Sequence, residues 1–213
     1  AADQWDEILD FTPSEKVNLK RAVRDMLRLN FNAEQLFDGG FQLMPVSNLH
    51  YPQILGENPQ RRYAPPLLYF KSKSEILNKE AIAIVGSRNA GANALTFTPE
   101  MARKAAKTGR VILSGLPVGG SGSFVECRGS RTEKHCGLAS GYSYLSLGFQ
   151  KIQQPIVKGD LLVLSAFFPK SSWDAGLAMA RDAYIYRLEN EIYLTESDFK
   201  GETWQRGVDG LKR

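Results

Sequence analysis

The run Ala81-Ile82-Ala83-Ile84-Val85 constrains this chain more than any other stretch, because every position is apolar and the run closes on Gly86-Ser87-Arg88. A strand covered on one face alternates apolar and polar side chains. A strand covered on both faces, as in a parallel sheet, is apolar throughout. The run therefore predicts an interior strand of a parallel sheet. The glycine after it allows a sharp turn and close approach of a ligand to the backbone. Backbone N–H groups, a hydroxyl and a guanidinium then meet at the carboxyl end of the strand. In open α/β sheets that is where phosphate-bearing ligands bind.

The pattern repeats along the chain. Residues 92–108 read as a helix with Met101 and Ala105 inward, ended by Gly109. Arg110-Val111-Ile112-Leu113 is the next strand, and it also closes on a small pair, Ser114-Gly115. Strand, helix and strand in about 35 residues make a βαβ unit with a right-handed crossover. Further strands are predicted at 65–70, 160–165 and 191–195, and helices at 173–188 and 203–212. Before the first strand, residues 14–29 read as an amphipathic helix started at Thr12-Pro13-Ser14. A second short helix follows Asn32 and stops at Asp38-Gly39-Gly40. The expected fold is α/β: a Rossmann-like, mostly parallel doubly wound sheet with a small N-terminal helical region. The boundary is placed between residues 1–62 and 63–213.

Composition narrows the function. The 213 residues carry 27 Lys and Arg against 23 Asp and Glu, a net charge of +4, with pI near 9.0. That balance permits an anionic partner without requiring one. No apolar run approaches the roughly 18 residues needed to cross a bilayer, so no membrane partner is expected. Two cysteines, Cys127 and Cys136, make no disulfide framework, which suits a reducing cytoplasm. Cys127, His135 and Cys136 give three ligands at a spacing of no standard zinc site, so no metal is expected. With two histidines a catalytic triad is not supported. His50, before Tyr51-Pro52, reads as a turn residue. Lys16, Lys20, Arg21, Arg24 and Arg28 form a basic side of the first helix, and Tyr142, Tyr144 and Phe149 are candidate base-stacking residues.

Several stretches follow one another in a recognisable order: Leu49-His50-Tyr51-Pro52 with Leu55, Pro65-Pro66-Leu67-Leu68-Tyr69, Ile84-Val85-Gly86-Ser87-Arg88 and Ser114-Gly115-Leu116. Gly159 to Ser165, Phe168-Pro169, Ala178-Met179-Ala180-Arg181 and Gly201-Glu202-Thr203-Trp204 continue it. Together they resemble the DprA/Smf family, which processes DNA in bacterial transformation. The resemblance implies a Rossmann-like domain that binds single-stranded DNA, performs no catalysis, needs no cofactor, and presents DNA to a RecA-type recombinase, as a cytoplasmic homodimer. By motif match, the DNA or phosphate site would comprise Gly86, Ser87, Arg88, Ser114, Gly115, Gly119, Gly120 and Arg181. The winged-helix module that many members carry is not expected in this chain.

Three features depart from that pattern. The family's Gly-Ile-Asp…His segment is replaced by Gly119-Gly120-Ser121-Gly122-Ser123-Phe124-Val125-Glu126. Residues 127–142 show no strand pattern, which predicts either a lost βα unit or an irregular loop. The Asn that follows the family's arginine is Asp182 here, which replaces two amide donors with a negative charge. The 119–126 stretch also resembles the phosphate-and-acid box of lysine-decarboxylase-like phosphoribohydrolases, where Glu126 would act on an N-glycosidic bond. A nucleoside-monophosphate phosphoribohydrolase, or a nucleotide-sensing domain of the same fold, is therefore the alternative.

Overall fold

The computed structural model describes residues 12–56, 64–86, 91–115, 135–138, 149–169, 171, 175–188, 191–195 and 204. The chain divides into two compact units, Ala1–Gln42 and Leu43–Arg213, where the sequence had placed the boundary after residue 62.

In the first unit, helix α1 spans Pro13–Arg24 and α2 spans Met26–Asp38. The start of α1 is a capping box. The Glu15 backbone N–H donates to the Thr12 hydroxyl oxygen, and the Thr12 backbone N–H donates to the Glu15 carboxylate at 2.8 Å. The single helix expected over 14–29 is broken at Asp25. Its ψ of 4° departs from the helical value near −42° and turns the chain between α1 and α2. The Asp25 side chain accepts from Arg28 at 3.0 Å. Among the described residues of this unit only Leu36 is buried, while Leu27 is 85% exposed.

The second unit is built on a seven-stranded sheet with strand order β1-β2-β6-β5-β4-β3-β7. The strands are β1 Gln42–Pro45, β2 Leu67–Lys71, β3 Ala81–Val85, β4 Val111–Gly115, β5 His135–Leu138, β6 Leu161–Ser165 and β7 Ile192–Leu194. The pairs β3–β4, β3–β7, β4–β5 and β5–β6 are parallel, and β2 joins β6 antiparallel. The helices are α3 Gln53–Gly56, α4 Ala92–Lys107, α5 Phe149–Lys158 and α6 Ala175–Leu188, with a 3-10 turn at Ser74–Asn78. Strand β5 overturns the reading of 127–142 as strandless: the βα unit is retained, and β5 is an interior strand between β4 and β6. The expected helix over 203–212 lies outside the described residues except Trp204.

Burial explains why the apolar runs have no polar positions. On one face of the sheet Ala83, Val111, Leu113, Leu162 and Leu164 pack with Ile185 of α6 and with Met44, Tyr51 and Leu55. On the other face Ile82, Ile84 and Ile112 pack with Ala102 and Ala105 of α4. Successive residues of β3 and β4 thus go to opposite layers, the period of two that a doubly covered strand demands. Tyr51 anchors the segment before β2: its buried hydroxyl donates to the Pro65 carbonyl at 2.8 Å.

Candidate nucleic-acid interface

Strand order locates the site. From β3 the chain steps outward through β4, β5 and β6, then returns to place β7 on the other side of β3. β3 is therefore the point where the winding reverses, and the crevice outside its carboxyl end is the expected ligand position in an open α/β sheet. Gly86 follows directly on Val85 there and is exposed. The β3–β4 register, Ala83 opposite Leu113, carries forward to set Val85 beside Gly115. On the far side Leu194 of β7 pairs with Val85, and the Thr195 backbone N–H donates to the Val85 carbonyl at 3.0 Å. Gly86, Gly115 and Thr195 thus share one sheet edge.

Helix α6 supplies a cation to this edge. Residues 111, 113 and 115 of β4 face the same side of the sheet by alternation, toward the layer that holds Ile185. Arg181 lies one helical turn before Ile185, on the same face of α6. A Cβ built on Gly115 would stand 3.2 Å from the guanidinium carbon of Arg181 and 3.3 Å from both Nε and Nη2. The absence of a side chain at 115 is what lets the guanidinium lie across the end of β4. The guanidinium also donates from Nε and Nη2 to one oxygen, Oδ1, of Asp182, at 2.9 and 2.8 Å. The Arg181 side chain is 14% exposed and that of Asp182 36% exposed.

Of the predicted site residues, the structure brings together Gly86, Gly115 and Arg181. Ser114 sits at the same edge, but alternation directs its side chain to the α4 face, away from Arg181. Ser87, Arg88, Gly119 and Gly120 lie outside the described residues, as do Glu126, Cys127, Tyr142 and Tyr144 and the side chains of His135, Cys136 and Phe149. Among the described residues no cluster of metal-ligating side chains occurs. His50 is exposed, and its backbone N–H donates to the Asn48 side chain at 2.8 Å, as expected of a turn. Thr195 was missed as an edge residue. Its signal was its position as the last residue of an apolar strand.

A cavity of about 380 Å³ opens at the opposite edge, where Ala81 and Val111 begin β3 and β4, lined also by Tyr51, Ile76, Lys79 and Leu188. Its floor is the apolar core, and His50 and Lys79 stand among its lining residues, whereas the carboxyl edge holds the Arg181 guanidinium. The placement of Leu188 beside Val111, and of Arg181 beside Gly115, shows that α6 runs antiparallel to β4.

The mostly parallel sheet, the reversal of winding at β3 and the helices on both faces define a Rossmann-like domain, with the Arg181 cation at the carboxyl edge of β4. Within that class, the chain belongs to the family of DNA recombination-mediator protein A, whose family model matches residues 42–204. Its fold is similar to that of DNA processing protein A (DprA) from Streptococcus pneumoniae, with TM-score 0.68 and 21% identity, covering 81% of this chain and 60% of that one. It is also similar to DNA processing protein A from Helicobacter pylori, whose structure concerns that protein's single-stranded DNA binding mode, with TM-score 0.64 and 21% identity, covering 80% of this chain and 75% of that one. The chain thus spans 60% of the length of the Streptococcus protein. No curated protein matches the sequence. Among the described residues no helix is long and apolar enough to cross a membrane.

Proposed function

We propose that this protein binds the phosphate backbone of single-stranded DNA along the carboxyl edge of β3, β4 and β7, without catalysis, and presents that DNA to a RecA-type recombinase as a cytoplasmic homodimer. The observation that carries the reading is the Arg181 guanidinium laid across Gly115 beside the point where the sheet reverses. Guanidinium donors at a parallel strand's carboxyl end suit a phosphate diester, and backbone contacts carry no sequence preference. The Helicobacter relative's single-stranded DNA binding supports the choice of ligand. Ser87 and Arg88, which follow Gly86 in sequence, and Ser114, Gly119 and Gly120 complete the proposed site.

The test is binding of a fluorescent single-stranded oligonucleotide over a salt series, beside a panel of free nucleotides. Affinity should fall with salt at a slope of about −0.7 per phosphate neutralised. Arg88→Ala should cost roughly 1.5–3 kcal/mol, the worth of a hydrogen bond to a charged group. Binding that ignores salt refutes the reading. So does release of free base from nucleoside monophosphates that stops in Glu126→Gln.

A further inference from the structure

We propose that Asp182 sets the strength of the anion site: its carboxylate holds the Arg181 guanidinium across Gly115 and cancels its charge there. This rests on the reading of the β3–β4 edge as a phosphate site.

The geometry carries the inference. Neighbouring residues on a helix point about 100° apart, so they do not ordinarily face each other. Here Arg181 folds back so that Nε–H and Nη2–H both reach Oδ1 of Asp182. These two donors form one edge of the guanidinium fork, the edge that matches two oxygens of a phosphate. The carboxylate therefore occupies the part of Arg181 best suited to the ligand. It also fixes the plane of the guanidinium, which lies 3.2–3.3 Å from where a Cβ on Gly115 would stand. Both side chains are partly buried, at 14% and 36% exposure, so water screens the pair less than it would on an open surface.

Two consequences follow. A phosphate arriving at Arg181 meets a neutral pair instead of a bare cation, so its Coulomb attraction is small. A net-neutral pair also leaves that phosphate un-neutralised, so the strand keeps its condensed counterion there and Arg181 adds nothing to the salt slope. Asp182 is thus a positioning residue with two separable effects. Its oxygen orients the arginine, and its charge lowers the arginine's affinity for anions. Asn keeps the oxygen at the same reach and removes the charge.

The experiment compares oligonucleotide binding by the full chain and by Asp182→Asn, Asp182→Ala and Asp182→Asn with Arg181→Met, at several salt concentrations. Asp182→Asn should bind about tenfold more tightly, equivalent to roughly 1.4 kcal/mol. Its salt slope should steepen by about 0.7, the share of one phosphate contact on a single strand. Asp182→Ala should gain less, because the guanidinium loses its anchor. The Arg181→Met change should abolish the gain. If the unaltered protein binds and Asp182→Asn leaves both affinity and slope unchanged, the inference fails while the site reading stands. A gain that persists without Arg181 also overturns it. If neither protein binds at any salt, the site reading fails and takes the inference with it. Should Asp182→Asn fold poorly, Asp182→Ser supplies the same charge removal, and the same slope change is required of it.

Discussion

Gly115→Ala separates a binding function from a folding function at the end of β4. Gly115 is not among the glycines with positive φ, so alanine meets no backbone strain there. On its own the substitution should stabilise the chain by about 0.4–1 kcal/mol, because alanine restricts the unfolded state more than glycine does. The new methyl group, however, stands 3.2–3.3 Å from three atoms of the Arg181 guanidinium. Relief requires a retreat of a few tenths of an ångström. The hydrogen bonds to Asp182, now 2.8 and 2.9 Å, would then lengthen toward the limit of useful geometry. The strain and the weakened bonds offset the backbone gain, leaving stability within about 0.5 kcal/mol of the original. Because the methyl group displaces the guanidinium itself from the edge while Asp182 keeps its charge, oligonucleotide affinity should fall about fivefold, the factor matching roughly 1 kcal/mol for one weakened charged contact. Urea unfolding and fluorescence anisotropy on the same preparations read the two quantities. Undiminished affinity would remove Arg181 from the interface. A loss of affinity accompanied by more than about 2 kcal/mol of destabilisation would show that Gly115 serves the fold rather than the ligand.

Ile185→Ala should destabilise the second unit by about 2–5 kcal/mol in urea unfolding, since Ile185 is fully buried where α6 meets the sheet. Tyr51→Phe should cost about 1–2 kcal/mol by leaving the Pro65 carbonyl without its donor. Burial, reinforced by the neighbouring Tyr184, pushes the Tyr51 phenol up to about 12. Its folded pKa exceeds the unfolded one, so the stability it lends is complete below pH 10 and is lost as pH rises toward 12. Alkaline unfolding should show that loss, and Tyr51→Phe should lack it. Thr12→Ala should reduce the circular-dichroism helical signal of α1. Hydrogen bonds from the Thr12 side chain and then its backbone hold the Glu15 carboxyl below its ordinary range. The original box should therefore weaken as pH falls through that range, while Thr12→Ala changes little.

The elements that the sequence showed clearly are those whose signal lies within their own residues. β3, β4 and β6 are apolar at nearly every position because two layers cover them, and α4 declares itself by small inward residues. β5 gave no such sign. His135-Cys136-Gly137-Leu138 has neither an apolar run nor alternation, and its place is secured by backbone pairing to β4 on one side and β6 on the other. A strand flanked by two partners can be specified by its neighbours' hydrogen bonds more than by its own propensity. α5 was hidden for a different reason: Pro155 lies inside it and reads as a breaker, yet Ile152 is buried and holds the helix to the unit.

The site was legible as a set of residue types and only partly as a geometry. Ser114-Gly115 read as a single small-residue turn, but a strand sends adjacent side chains to opposite faces, so the two have different neighbours. Only the face containing 111, 113 and 115 looks toward α6, and only that face can receive Arg181. The choice of glycine at 115 then has a reason that no inspection of the strand alone could supply: the space it leaves is filled by a guanidinium from a helix more than sixty residues later in the chain. Asp182 was visible as a charge beside an anion site. What the fold adds is that this charge is bonded to the arginine itself, so the cation is both held at the edge and moderated by the same side chain.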